Sequence, residues 1–123
     1  MAQILLAEDD TAVRSFVERA LAHRGHTVTA VADGTEALEA LGRGRFDLLI
    51  TDIVMPGLDG IGLALKVGRD HPDLPILLMT GYSAEKQRAY DLDELICRVL
   101  VKPFSLRDVC DAVEEALADS KAS

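Results

Sequence analysis

Apolar residues fall along this chain in two alternating rhythms. Short unbroken runs at Ile4–Ala7, Thr27–Val31, Asp47–Thr51, Ile76–Thr80 and Ile96–Val101 have the length of strands. Between them, apolar positions recur three and four residues apart. In the first such stretch Val13, Phe16, Val17, Ala20 and Leu21 share one helical face, and Gly25 follows where a left-handed cap would end the helix. Asp33, with Glu36 three residues on, forms a capping-box pattern ahead of "TEALEAL". "LDGIGLALKVGRDHP" reads as a helix opened by Asp59, weakened by its glycines and ended by Pro72. "SAEKQRAYDLDEL" is polar and only loosely periodic, whereas "SLRDVCDAVEEAL" has Ser105 as N-cap and Leu106, Val109, Val113 and Leu117 along one face.

Strand and helix thus alternate five times, which predicts an α/β protein with a parallel sheet covered by helices on both faces. Right-handed crossovers leave few topologies, and the doubly wound order 2-1-3-4-5 suits a chain of 123 residues. The expectation is one domain over residues 1–119, a short frayed tail at 120–123, and no attached output domain.

Composition narrows the classes further. A net charge of −8 with no basic stripe argues against nucleic acid or an anionic membrane as partner. No apolar run approaches the roughly 20 residues a membrane span needs, and "MAQILLAEDD" lacks the basic start of a secretory signal, so a cytoplasmic protein is expected. Cys97 and Cys110 have neither zinc nor disulfide-framework spacing and read as reduced packing cysteines. His23, His26 and His71 lie at no strand end and read as solvated surface residues.

In such a sheet ligands bind beyond the carboxyl ends of the strands. The first strand ends in Glu8-Asp9-Asp10, the third runs into Asp52, the fourth ends at Thr80-Gly81, and the fifth at Lys102-Pro103. Asp10 reads as the cap of the first helix. Adjacent carboxylates at the end of a buried strand repel one another, and a cation offsets that cost. Carboxylates from two strands with a backbone carbonyl and water make the all-oxygen site that Mg2+ accepts. An aspartate at an unperturbed site is ionised at neutral pH and needs no general base to attack a phosphoryl group, so Asp52 would need only relief from charge repulsion. The Lys102 ammonium and the Thr80 hydroxyl can meet the remaining phosphoryl oxygens.

Through "LLAEDD", "DLLITDIVMPGLDG", "PILLMTGY" and "VKPF", in this order and spacing, the chain resembles the receiver domains of two-component response regulators over essentially its whole length. The resemblance implies the flavodoxin-like, CheY-like (βα)5 fold, with Asp52 accepting a phosphoryl group from a phosphohistidine on a histidine kinase or histidine phosphotransferase. It implies Mg2+ held by Glu8, Asp9, Asp52 and the Val54 carbonyl, with Thr80 and Lys102 sensing phosphorylation. It implies a cis Lys102–Pro103 peptide, and positive φ at Gly57 and Gly60 in the loop after Asp52. Such a protein is no enzyme beyond its own Mg2+-dependent phosphorylation and dephosphorylation, and is expected to be a monomer. One departure stands out: receivers often carry an aromatic residue three positions before the lysine, where this chain has Val99 between Arg98 and Leu100. Signalling would then rest on Thr80, the segment after Gly81 with Tyr82, and a surface including Arg98, Val99 and Pro103.

Rival readings fare worse. Haloacid-dehalogenase-type phosphatases need a second acid two residues after the nucleophile, where Val54 stands. A flavodoxin-like cofactor binder would want a Ser/Thr/Gly-rich loop after the first strand, and the acids there would repel its phosphate. Helix capping accounts for Asp33, Asp59 and Ser105, but no helix starts at Asp52. Three roles stay open for a stand-alone receiver: a phosphorelay shuttle or sink, a chemotaxis-type regulator, or a proteolysis adaptor. The openings "ILLAEDD" and "TDIVMPGLDGI" and the non-aromatic residue in "RVLVKPFSLRD" look most like the CpdR-like single-domain receivers, cell-cycle regulators that prime the ClpXP protease.

Overall fold

A computed structural model describes residues 2–81 and 97–122. Its elements follow in the order β1 (Gln3–Ala7), α1 (Thr11–His23), β2 (Thr27–Val31), α2 (Gly34–Arg43), β3 (Leu48–Asp52), α3 (Gly60–Asp70), β4 (Ile76–Thr80), β5 (Cys97–Val101) and α4 (Leu106–Ala122). The strands form one parallel sheet in the order β2-β1-β3-β4-β5. This is the doubly wound topology expected from the alternation of strand and helix. The third strand begins one residue later than expected and takes in Asp52, so the acid belongs to the ladder rather than to the loop beyond it. The polar segment Ser83–Leu95, read as a helix, lies outside the described residues, as does Tyr82.

The continuous apolar strands are central because both their faces are covered. Ile4, Leu6, Leu48, Ile50, Leu77 and Met79 pack against Val17 and Leu21 of α1 and Val109 and Val113 of α4. Leu5, Leu49, Ile76 and Leu78 point the other way, into Ala37 and Leu41 of α2 and Leu63 and Val67 of α3. Each fully buried aliphatic side chain of this kind contributes about 1.5–3 kcal/mol of transfer free energy. β2, with Thr27 and Thr29 exposed, occupies an edge.

Helix starts are fixed locally. Asp10 Oδ1 accepts from Ala12 N at 2.9 Å and Val13 N at 3.2 Å. Asp33 accepts from Glu36 N while Glu36 reaches back to Ala32 N, both at 2.8 Å. Asp59 accepts from Gly62 N at 2.8 Å. Ser105 and Asp108 exchange bonds of 3.0 Å. Gly25 takes φ 91°, the left-handed cap expected of it.

Three expectations need correcting. Phe16 is 40% exposed and Leu106 43% exposed. They flank the groove between α1 and the start of α4 rather than lying under the sheet, and the Phe16 ring rests 6.3 Å from that of Phe104. His26 is not simply solvated: it is half-buried, and its Nδ1 accepts from Ala2 N at 3.2 Å. Burial lowers its pKa. Among the described residues no helix is long and apolar enough to cross a membrane.

Candidate functional site

The carboxyl ends of β1, β3, β4 and β5 meet at one edge of the sheet. Glu8 continues the β1 ladder, its N–H donating to Val31 O at 3.0 Å, and this draws the side chain into full burial. Its Oε2 accepts from Asp10 N at 3.2 Å. Asp52 closes β3 with only 7% of its surface exposed, and its Oδ1 accepts from Ile53 N at 2.9 Å. Asp9 is exposed. One carboxylate oxygen from each of Glu8, Asp9 and Asp52 falls within 4.8 Å of the others.

Lys102, at the end of β5, donates through Nζ to Asp52 Oδ2 at 3.1 Å and to Glu8 Oε1 at 3.3 Å. Its N–H donates to Thr80 O at 2.7 Å, which ties the ends of β4 and β5 together. The Thr80 hydroxyl is buried and has no hydrogen-bond partner among the described residues. A buried hydroxyl without a partner costs free energy, so its retention beside the acids is informative.

Electrostatics mark the same cluster. Burial, then the hydrogen bond and charge of Asp52, push the Glu8 carboxyl up to about 8, against the opposing pull of Asp10 N–H and Lys102. For Lys102, burial favours the neutral amine, but the hydrogen bond and charge of Asp52 and the charge of Glu8 outweigh it, and its pKa is raised. Two carboxyl groups thus compete for one ammonium. Oxygen donors of this number, spacing and charge fit a hard divalent cation such as Mg2+.

The loop after Asp52 is shaped by glycine in two ways. Gly57 adopts φ 73°, as expected. Gly60 does not take positive φ, contrary to expectation. It is needed for space: a Cβ there would lie 2.1 Å from the Asp52 carbonyl oxygen, while its N–H donates to Ile53 O at 2.8 Å. Val54 stands in this loop 46% exposed, between buried Ile53 and Met55.

The remaining predicted residues lie further out. Arg98 on β5 pairs with Asp119 and, at 3.9 Å, with Glu115, both on α4. Val99 is half-buried against the α2–α3 side of the core. Pro103 is exposed and follows a cis Lys102–Pro103 peptide. One contributor was missed: Arg14 Nη1 donates to the Glu8 carbonyl at 2.8 Å, bracing the acidic corner. The signal was there, since a cation in the first turn opposes the helix dipole and so calls for another partner.

A doubly wound sheet with its acids gathered at the carboxyl edge defines a class of α/β protein with its site at the topological switch point. Within that class the chain belongs to the response regulator receiver domain family, whose model matches residues 4–114. The response regulator receiver protein CpdR of Brucella abortus (strain 2308) is 43% identical over 117 residues, covering 95% of this chain and 98% of that protein. The response regulator MprA of Mycobacterium leprae (strain TN) is 36% identical over 97% of this chain, which spans 52% of it. Among solved structures, the chemotaxis response regulator CheY4 of Vibrio cholerae matches with a TM-score of 0.85 at 28% identity, covering 94% of this chain and 98% of that one.

Proposed function

We propose that the protein is a phosphorylation-controlled signalling module in which Asp52 accepts a phosphoryl group from a phosphohistidine on a histidine kinase or phosphotransferase. The observation that carries this reading is the meeting of Glu8, Asp9 and Asp52 with the Lys102 ammonium and the Thr80 hydroxyl, which has no partner among the described residues, at one strand edge. A carboxylate oxygen of Asp52 forms the new O–P bond as the N–P bond of the donor breaks, and the electron pair leaves with the imidazole nitrogen. Glu8, Asp9, Asp52 and the Val54 carbonyl would hold Mg2+, which supplies positive charge against the incoming phosphoryl oxygens. Lys102 then pairs with a phosphoryl oxygen, and the Thr80 hydroxyl gains an acceptor that the described residues do not give it. The group adds about −1.5 to −2 charges at neutral pH, enough to bias a surface that the β4 and β5 ends share with a partner.

The test is intact-mass spectrometry after incubation with acetyl phosphate and Mg2+, with Asp52→Asn and EDTA controls. One added phosphoryl group in the wild type alone is the expected result. If neither acetyl phosphate nor a phosphohistidine donor modifies the wild type, the reading is wrong.

For the downstream role, similarity to CpdR across nearly the full length of both chains supports a cytoplasmic adaptor for ClpXP proteolysis. Arg98, Val99 and Pro103, with Tyr82, are the proposed partner surface. A pull-down with the ClpX unfoldase, comparing wild type, Asp52→Ala and phosphorylated protein, tests this. Binding that changes with phosphorylation supports the adaptor; no binding in any form favours a phosphorelay shuttle.

A further inference from the structure

The loop that carries Val54 from Asp52 to α3 is held at its far end by Leu58. Leu58 is half-buried against the α2–α3 side of the core, and it sits between two residues without side chains. A Cβ on Gly34, the first residue of α2, would lie 2.7 Å from Leu58 O, 3.1 Å from its Cβ and 3.2 Å from its Cδ2. A Cβ on Gly62, in the first turn of α3, would lie 2.8 Å from Leu58 Cδ1. Neither glycine has positive φ. Backbone conformation therefore does not call for glycine at either position, and both lie in helices, where it is a poor choice. What it provides here is room.

We propose that Gly34, Leu58 and Gly62 form a positioning seat: two helix starts with no Cβ receive Leu58 and so set the loop that presents the Val54 carbonyl and the Asp52 carboxyl group to the metal. This rests on the Mg2+ reading above and goes beyond it by assigning residues remote from the ion. The two glycines do not act alike. At Gly34 the nearest atom is a backbone oxygen, so an added methyl must move the loop itself. At Gly62 it is the far end of a flexible side chain, which can rotate away. The seat also makes the start of α2 sensitive to the loop, although β1 separates β2 from β3 in the sheet.

Mg2+ binding by isothermal titration calorimetry and amide hydrogen exchange of the metal-free protein over residues 53–59 test the proposal together. Gly34→Ala and Leu58→Ala should each weaken Mg2+ binding about tenfold, as the loss of outer contacts to a metal site does. In Leu58→Ala the loop amides should exchange faster while those of β1 and β4 keep the wild-type rate. Gly62→Ala combined with Leu58→Ala should be no worse than Leu58→Ala alone, because the atom it would meet is gone. Mg2+ binding within about twofold of wild type in both single variants would overturn the seat. Should Gly34→Ala fail to fold, Leu58→Ala decides by itself. Should the wild type take no Mg2+, the functional reading fails, and unchanged loop exchange in Leu58→Ala would separately overturn the seat.

Discussion

The Lys102 ammonium stands 3.1 Å from Asp52 Oδ2 and 3.3 Å from Glu8 Oε1, so one cation from β5 serves two buried acids from β3 and β1. Lys102 thereby neutralises the corner in metal-free protein and competes with any ion that uses the same oxygens. Lys102→Ala should cost the metal-free protein about 1.5–3 kcal/mol, the worth of hydrogen bonds to charged groups. Its melting temperature should then rise more on adding Mg2+ than that of wild type. Equal shifts in both proteins would show that Lys102 and the ion do not share ligands.

Glu8 makes stability fall with rising pH. Its carboxyl holds its proton in the folded state up to about 8, while the unfolded chain releases it near 4.5. Between those values the folded state binds more protons, so unfolding free energy declines by up to about 1.4 kcal/mol per pH unit from this group. Urea midpoints of metal-free wild type and Glu8→Gln across this window should diverge as pH rises, with the variant flatter. His26, lowered by burial, contributes the opposite slope below 6.5, but it does so in both proteins and cancels in the difference.

The Thr80 hydroxyl forms no hydrogen bond among the described residues. Thr80→Val keeps the shape and removes the orphan, so unphosphorylated protein should be unchanged or up to about 1 kcal/mol more stable. If the hydroxyl serves the phosphoryl group, partner binding by the phosphorylated variant should fall sharply. A destabilised variant would mean that the hydroxyl already has an acceptor.

Gly60 and Gly42 should respond oppositely to alanine. At Gly60 the methyl group meets the Asp52 carbonyl oxygen at 2.1 Å, a main-chain atom of the central ladder, and the cost should reach about 3 kcal/mol or more. At Gly42, within α2, nothing lies within 4 Å, and alanine should stabilise by about 0.5–1 kcal/mol. Chemical denaturation of the two variants checks both signs.

Arg98 pairs with Glu115 and Asp119 on exposed side chains. Arg98→Ala should change stability by less than about 1 kcal/mol. A larger change in partner binding than in stability would mark it as part of a docking surface. Equal, small effects on both would remove it from that role.

Much of this molecule could be read from neighbouring residues. The caps Asp10, Asp33, Asp59 and Ser105 bond to groups two or three positions away, so the sequence window contains both partners. Strand ends were legible because apolar runs stop abruptly at Glu8, Asp52, Thr80 and Lys102, and the handedness of crossovers ordered the strands. The acids and the lysine that meet at the carboxyl edge are therefore legible as strand-end residues in the sequence.

Tertiary packing decided what depends on distant partners. Glu8 and Lys102 are 94 positions apart, and only packing in three dimensions sets their pKa values: burial and the nearby Asp52 raise Glu8 against the pull of Lys102, while Asp52 and Glu8 together raise Lys102 against its burial. Gly60 looked like a residue chosen for its dihedral freedom; packing shows it was chosen for the missing Cβ, since the Asp52 carbonyl occupies that space. His26 looked solvated until the chain start came to rest on its Nδ1. Local chemistry fixes which groups a chain can present at each element's end, whereas burial, repulsion and room between elements arise only when those ends are packed together.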